Sequence, residues 1–203
     1  CMARRFAPLS PVPDHPAIEA DVLDRWDAER TFERLRELNA GNEPFSFIDG
    51  PITANNPMGV HHAWGRTLKD VFQRYQALRG KDQRYQNGFD CQGLWVEVEV
   101  EKALGLNSKR EIEEYGLAEF AERCKERVAK FDGVMREQSK RLGMWMDWGN
   151  DYFTFSDTNI EYIWRFLKLM HERGRVFKGH RSTEWCPRCG TSLSQHELSQ
   201  SGV

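Results

Sequence analysis

The stretch Asp49-Gly50-Pro51-Ile52-Thr53-Ala54-Asn55-Asn56-Pro57-Met58-Gly59-Val60-His61-His62-Ala63-Trp64-Gly65 separates two kinds of sequence. Before it, Phe45-Ser46-Phe47-Ile48 is short, aromatic and β-branched, the composition of a buried strand. After it, Trp64, Leu68, Val71, Tyr75 and Leu78 recur at steps of three and four, which predicts a helix with one apolar face. The residues between are too rich in Gly, Pro and Asn for regular structure. Strand, Gly/Asn loop and helix in that order open a nucleotide-binding α/β unit. A bound phosphate needs closely approaching N–H donors, and a helix N-terminus supplies them with a favourable dipole. His61 and His62 stand where the helix begins, although composition alone favours reading two adjacent histidines as surface or structural residues.

Downstream, the helix is expected to end at Arg79-Gly80, and a segment containing Tyr85 leads into Gly88-Phe89-Asp90-Cys91-Gln92-Gly93. This second polar loop falls where a second parallel strand would end, and such loops form the ligand crevice of open α/β sheets. Ser108-x-x-Glu111 has the form of a capping box. It opens a long charged helical region to about Lys140, with Ile112, Phe120, Val128, Phe131 and Met135 as apolar contacts and an interruption expected near Asp132-Gly133. Arg141 to Trp148 turns the chain, and Ser156 or Asp157 caps a helix whose stripe of Ile160, Ile163, Trp164, Leu167 and Met170 is read as core. Val176-Phe177 reads as the start of another strand. Upstream, Pro8, Pro11, Pro13 and Pro16 mark an extended arm, followed by a helical pattern of Val22, Trp26, Phe32 and Leu35 that stops at Asn39-Ala40-Gly41.

Composition bounds the rest. A chain of 203 residues can bury a substantial core, and seven Trp and twelve Phe give that core bulk, so disorder is excluded as a whole-chain reading. With 29 Lys plus Arg against 31 Asp plus Glu, net charge gives no argument for nucleic acid. No stretch approaches a signal peptide or a membrane span, so no membrane partner is expected. Five cysteines, two of them in Cys186-Pro187-Arg188-Cys189, fit a reduced, cytoplasmic and metal-binding chain better than a disulfide-stapled one. That pair has zinc-knuckle spacing and is half of a structural zinc site; His196 or Glu197 could add a third ligand. Cys91 and Cys124 read as small hydrophobes.

Taken in order, Asp49-Gly50-Pro51, Asn55, the histidine-bearing helix start, Arg79-Gly80 and Gly88-x-Asp90-x-x-Gly93 resemble the first catalytic half of class I aminoacyl-tRNA synthetases of the isoleucine, valine and leucine group. The run from Trp145 to Thr154 and the tail from Trp185 to Glu197 look most like the isoleucine-specific enzymes. The family signature is His-Ile-Gly-His. Aligned without a gap between Asp49-Gly50-Pro51 and Leu68-Lys69-Asp70, it falls on Gly59-Val60-His61-His62, so the final histidine matches and the first and third positions are exchanged.

The resemblance implies an α/β fold: an incomplete Rossmann-like nucleotide-binding catalytic domain with an N-terminal helical arm and the start of an inserted connective domain. Residues 1–43 would be arm and helix, 44–180 the first half of the catalytic domain, and 181–203 a zinc-knuckle-like segment leading to an editing insertion. It implies catalytic roles for His62 and, by compensation for Gly59, for His61. ATP would be bound by Asn55, Gly59, Val60, His61, His62 and Gly65. The amino acid would meet Pro51, Ile52, Thr53, Asp90, Gln92 and Trp95, with Asp90 on its ammonium group. Gln92 stands where the family often has histidine, so no base role passes to it. Glu97 fits the family motif, but in Val96-Glu97-Val98-Glu99-Val100 it reads equally as a solvated face. Expected cofactors are ATP, Mg2+ and, at Cys186 and Cys189, Zn2+ completed by a second cysteine pair beyond Val203. Expected partners are isoleucine and tRNA(Ile) in a larger, monomeric, cytoplasmic enzyme. The later Lys-Met-Ser-Lys-Ser-like loop, the editing insertion and the anticodon-binding domain lie outside these residues. The alternatives are a noncatalytic ATP- or adenylate-binding fragment and a valine- or leucine-specific relative.

Overall fold

The computed structural model describes residues 10–45, 47, 49–195 and 198. They fold as two compact units, each described by itself. The first contains the chain before Asp49 together with Met58–Gln86 and Arg136–Trp148; the second contains Asp49–Pro57, Asn87–Met135 and the chain from Gly149 on.

In the first unit, helix α1 (His15–Ala28) starts at Asp14, whose carboxylate accepts a hydrogen bond from the Ala17 N–H at 3.1 Å. The helix thus begins inside the proline-rich arm, because Pro16 falls in its first turn, where a missing N–H costs nothing. Arg30, at φ 51°, breaks the expected single helix, and α2 (Thr31–Asn39) follows. Strand β1 (Pro44–Phe45) pairs parallel with β3 (Asp82–Gln83). Of the expected strand around it, Ser46 and Ile48 lie outside the described residues. Helix α3 (Val60–Leu78) carries Ala77 into a core with Tyr85, Met144 and Met146, closed by Phe32, Leu35, Trp145 and Trp148. The Asn39 amide donates to the Ala77 and Lys81 carbonyls at 2.9 and 3.2 Å, tying the end of α2 to the end of α3.

The face of α3 that is buried is Arg66, Asp70, Gln73 and Ala77, a helical spacing filled largely with polar side chains. Asp70 accepts from the Trp145 N–H at 3.0 Å and from Arg74, whose guanidinium also donates to the Gly143 carbonyl and lies 3.9 Å from the Trp145 ring centroid. The apolar face predicted by the spacing is turned out, from Leu68 at 50 % exposure to Leu78 at 83 %. Apolar spacing fixes a face but not its direction, and here the hydrogen-bonding network of Asp70 selects the other side.

The second unit is built on a parallel sheet of β2 (Ile52–Thr53), β4 (Gly88–Asp90) and β5 (Tyr152–Phe153), in the order β2-β4-β5. The loop expected to be irregular therefore contains a two-residue strand, with Thr53 in register with Asp90. Phe89 is fully buried and stacks on Phe153 with centroids 5.6 Å apart. A Cβ on Gly88 would lie 2.1 Å from the Tyr152 ring, so only glycine lets β4 and β5 pair at this point. Helices α4 (Leu94–Leu104) and α5 (Lys109–Tyr115) follow, then α6 (Leu117–Arg141), of which residues up to Met135 belong to this unit. Val96, Val100, Phe120, Val128, Phe131 and Met135 are buried, as the spacing of the last four predicts.

Ser108 caps α5 through the Glu111 N–H, while the Glu111 carboxylate accepts from the Asn107 N–H at 2.8 Å. The helical break falls at Gly116, at φ 112°, and α6 runs unbroken through Asp132-Gly133. Ser156 caps α7 (Asp157–Glu172) as expected, yet α7 buries no residue, so its apolar stripe is not core in this unit. No strand forms at Val176-Phe177, where Phe177 is 85 % exposed; the next strands are those of the antiparallel hairpin β6 (Trp185–Cys186) and β7 (Thr191–Ser192). No helix among the described residues is long and apolar enough to cross a membrane.

Candidate functional site

The ends of β2, β4 and β5 converge on one carboxylate. Asp90, the last residue of β4, accepts from the Thr53 hydroxyl at 3.1 Å and, through its other oxygen, from the Thr154 hydroxyl at 3.4 Å and the Gln92 N–H at 3.4 Å. Thr154 itself accepts from the Cys91 N–H at 2.9 Å, which orients its proton towards Asp90. These are neighbouring C-terminal ends of parallel strands, the edge at which α/β sheets bind ligands. A half-exposed carboxylate held in this way presents negative charge of fixed orientation, suited to an ammonium group. Pro51 and Ile52 precede Thr53 on the same strand end and are half-buried; Gln92 and Trp95 are exposed.

Thr154 is a site residue that the sequence reading missed. Its strand, Tyr152–Phe153, has two residues and gives no alternation to detect. A polar residue directly after a short aromatic pair is the only local signal.

Asn55 is buried, and both ends of its amide are used within the protein. Its Nδ2 donates to the Trp95 carbonyl at 2.8 Å, and its Oδ1 accepts from Arg127 Nε at 2.6 Å. Beyond Trp95, the second unit contains a cavity of about 680 Å³ lined by Gln92, Leu94, Glu97, Phe120, Cys124 and Phe155 among others. Glu97 is on helix α4, and partial burial, then the neighbouring Glu101, hold its carboxyl above the usual range. Burial pushes the Cys124 thiol up to about 11 and raises that of Cys91, as for small apolar side chains rather than nucleophiles.

In the first unit the start of α3 is built by His62. The Gly59 N–H donates to His62 Nδ1 at 3.1 Å, while the Gly59 carbonyl accepts from the His62 and Ala63 N–H groups at 3.1 Å each. Because Nδ1 accepts, the proton of the neutral ring sits on Nε2 and is free to donate outward. Burial first, then the neighbouring charges of His61 and Arg66, hold His62 below the ordinary imidazole value. The rings of His61 and His62 lie 3.8 Å apart. A Cβ on Gly59 would come within 3.0 and 3.1 Å of His61 Cε1 and Nδ1, so the imidazole of residue 61 lies against the space a side chain at 59 would take. A Cβ on Gly65 would meet nothing within 4 Å, and Val60 is 87 % exposed, so both border open space.

Cys186 and Cys189 sit on the β6–β7 hairpin, with the Cys189 N–H donating to Cys186 Sγ at 3.4 Å. That hydrogen bond, the largest influence on it, lowers the Cys186 pKa. Two thiols at this spacing fit half of a tetrahedral zinc site. Among the described residues no third His, Cys, Asp or Glu joins them, and His196 and Glu197 lie outside those residues.

Residues 21–203 match the family of class I tRNA synthetases (I, L, M and V). The chain is 41% identical over 197 residues to an isoleucine–tRNA ligase of Thermobifida fusca (strain YX), covering 97% of this chain and 19% of that protein. It is 42% identical over 187 residues to the isoleucine–tRNA ligase of Streptomyces coelicolor, covering 92% of this chain and 18% of that protein. The chain therefore spans about a fifth of the length of the curated relatives it matches. Its fold is also similar to a solved ternary complex, Agrobacterium radiobacter K84 agnB2 LeuRS–tRNA–LeuAMS, with a TM-score of 0.62 at 18% identity over 91% of this chain and 21% of that one.

Proposed function

This chain belongs to the class I tRNA synthetases of the I, L, M and V group, and we propose that it supplies the amino-acid and ATP half-sites of an enzyme that activates isoleucine and transfers it to tRNA(Ile). The observation that carries this reading is Asp90, fixed by Thr53, Thr154 and the Gln92 N–H at the ends of three parallel strands. The finer architecture is Rossmann-like, with 1–43 as arm, 44–180 as the first catalytic half and 181–203 as the knuckle before a connective insertion. The enzyme is monomeric and cytoplasmic, with zinc completed at Cys186 and Cys189 by residues beyond this chain.

In the first step Asp90 holds the isoleucine ammonium, leaving the carboxylate to attack the α-phosphorus of ATP while pyrophosphate departs. Pro51, Ile52, Thr53, Gln92 and Trp95 surround the side chain and amino group. Magnesium accompanies ATP and offsets charge on its phosphates. His62 donates from Nε2 to the α-phosphate region as negative charge grows there, which is electrostatic stabilisation by a neutral donor. Gly65 and Val60 leave room for the nucleotide. Asn55 acts on this site through the loop it holds.

His61 replaces the donor that Gly59 lacks. Its support is the position of its ring, against the space a side chain at 59 would occupy. The test is isoleucine-dependent ATP–pyrophosphate exchange in the whole protein. His61→Ala is expected to lower kcat/KM for ATP by about a hundredfold to a thousandfold, the range for loss of one preorganised donor. An unchanged value would remove His61 from the mechanism.

A further inference from the structure

We propose that Arg127, in the middle of α6, is a positioning residue for the ATP-binding loop, a role that rests on the reading of residues 55–62 given above. Its guanidinium donates from Nε to Asn55 Oδ1 at 2.6 Å and from Nη2 to Asn56 Oδ1 at 3.0 Å. The same Nη2 stands 3.6 Å from a Glu99 carboxylate oxygen on α4, and Cζ lies 4.8 Å from the Phe131 ring centroid. The Arg127 side chain is 19 % exposed, and its bond to Asn55 is partly buried while that to Asn56 faces solvent. One cation therefore holds two consecutive loop residues, and is itself held by a carboxylate and an aromatic face.

The geometry suits the fixed planar fork of a guanidinium better than a flexible ammonium. Its planar fork places N–H groups on two acceptors at once, whereas lysine offers one compact charge. Asn55 passes the restraint on, since its Nδ2 bonds the Trp95 carbonyl at the start of α4. Asn56 lies three residues before Gly59, where the histidine-bearing helix turn starts. Asp90 is held by other means, the hydroxyls of Thr53 and Thr154 and its ladder pairing with β2. Loss of the clamp thus loosens the loop leading to the ATP residues and leaves the amino-acid carboxylate in place. A tie that only stabilises the fold would instead reduce the amount of active protein and leave both Michaelis constants alone.

The test compares wild-type protein, Arg127→Ala and Arg127→Lys in the whole enzyme by ATP–pyrophosphate exchange, with ATP affinity measured in parallel by calorimetry. Arg127→Ala removes both hydrogen bonds to the loop and is expected to raise KM and Kd for ATP by about tenfold, with KM for isoleucine within about twofold of wild type. Arg127→Lys keeps a cation beside Glu99, and so the fold, but is expected to raise KM for ATP in the same direction. A wild-type KM for ATP in the lysine variant, or a fall in kcat alone in the alanine variant, overturns the proposal. Absence of isoleucine-dependent exchange in wild-type protein overturns the functional reading instead, and the calorimetric comparison still decides the role of Arg127.

Discussion

His62 was legible as a residue but not as a geometry. Its match to the last position of the family signature marks it in the sequence, whereas its bond to the Gly59 N–H depends on a rotamer that no spacing rule gives. That bond fixes the tautomer, while burial first, then the charges of His61 and Arg66, hold the ring below the ordinary imidazole value. Because the folded value lies below the unfolded value of about 6.5, the unfolded chain binds the proton first as pH falls. The stability associated with neutral His62 is therefore complete above that value and is lost progressively below it. Protonation also abolishes the acceptor for Gly59, so the same acidic window disorders the first turn of α3. Heteronuclear NMR of the His62 ring is expected to show the Nε2–H form at pH 7 and a midpoint below the ordinary imidazole value. An Nδ1–H ring or a raised midpoint would contradict this assignment. Thr154 and Arg127 stayed invisible for a related reason: each acts through partners far off in the chain, Asp90 and Asn55.

At the scale of elements, periodicity found the helices and composition misplaced their breaks and faces. Gly133 and Gly116 look alike in sequence, but Gly116 has φ 112° and a Cβ there would meet the Glu119 carboxylate at 2.1 Å, while Gly133 lies inside α6 with nothing within 4 Å of its Cβ position. A helix tolerates an interior glycine at a cost of about 1 kcal/mol, so Asp132-Gly133 need not end one. Gly133→Ala is accordingly expected to stabilise the chain by about 0.5 to 1 kcal/mol in urea unfolding, and Gly116→Ala to destabilise it by more than that. Equal effects of the two would remove the distinction. The stripes on α3 and α7 show the second limit. Trp64 is 69 % exposed and Trp164 is 68 % exposed, while α3 buries Arg66, Asp70 and Gln73 on its opposite side. A polar face becomes the inner one when its groups are satisfied by particular partners, such as Asp70 by Trp145 and Arg74, and such pairing is not written in a hydrophobic pattern.

At the scale of the molecule, two loops in the right order carried most of the reading. Gly88 to Gly93 ends a parallel strand as expected, and its carboxylate is the best-held polar group at the sheet edge. The loop from Asp49 to Gly59 leads into a helix, as expected, and contains β2 as well. The chain spans about a fifth of the length of its relatives; among the described residues α7 buries none of its apolar stripe and no third ligand joins the cysteine pair. We propose that the amino-acid half-site around Asp90 serves isoleucine activation. Its most direct test is ATP–pyrophosphate exchange by the whole protein across a panel of amino acids, with Asp90→Asn beside wild type. Exchange is expected with isoleucine, weaker with valine by about tenfold to a hundredfold as one methylene allows, and isoleucine-dependent exchange is expected to be lost in Asp90→Asn. Exchange that is absent with isoleucine, or unaffected in Asp90→Asn, would contradict it.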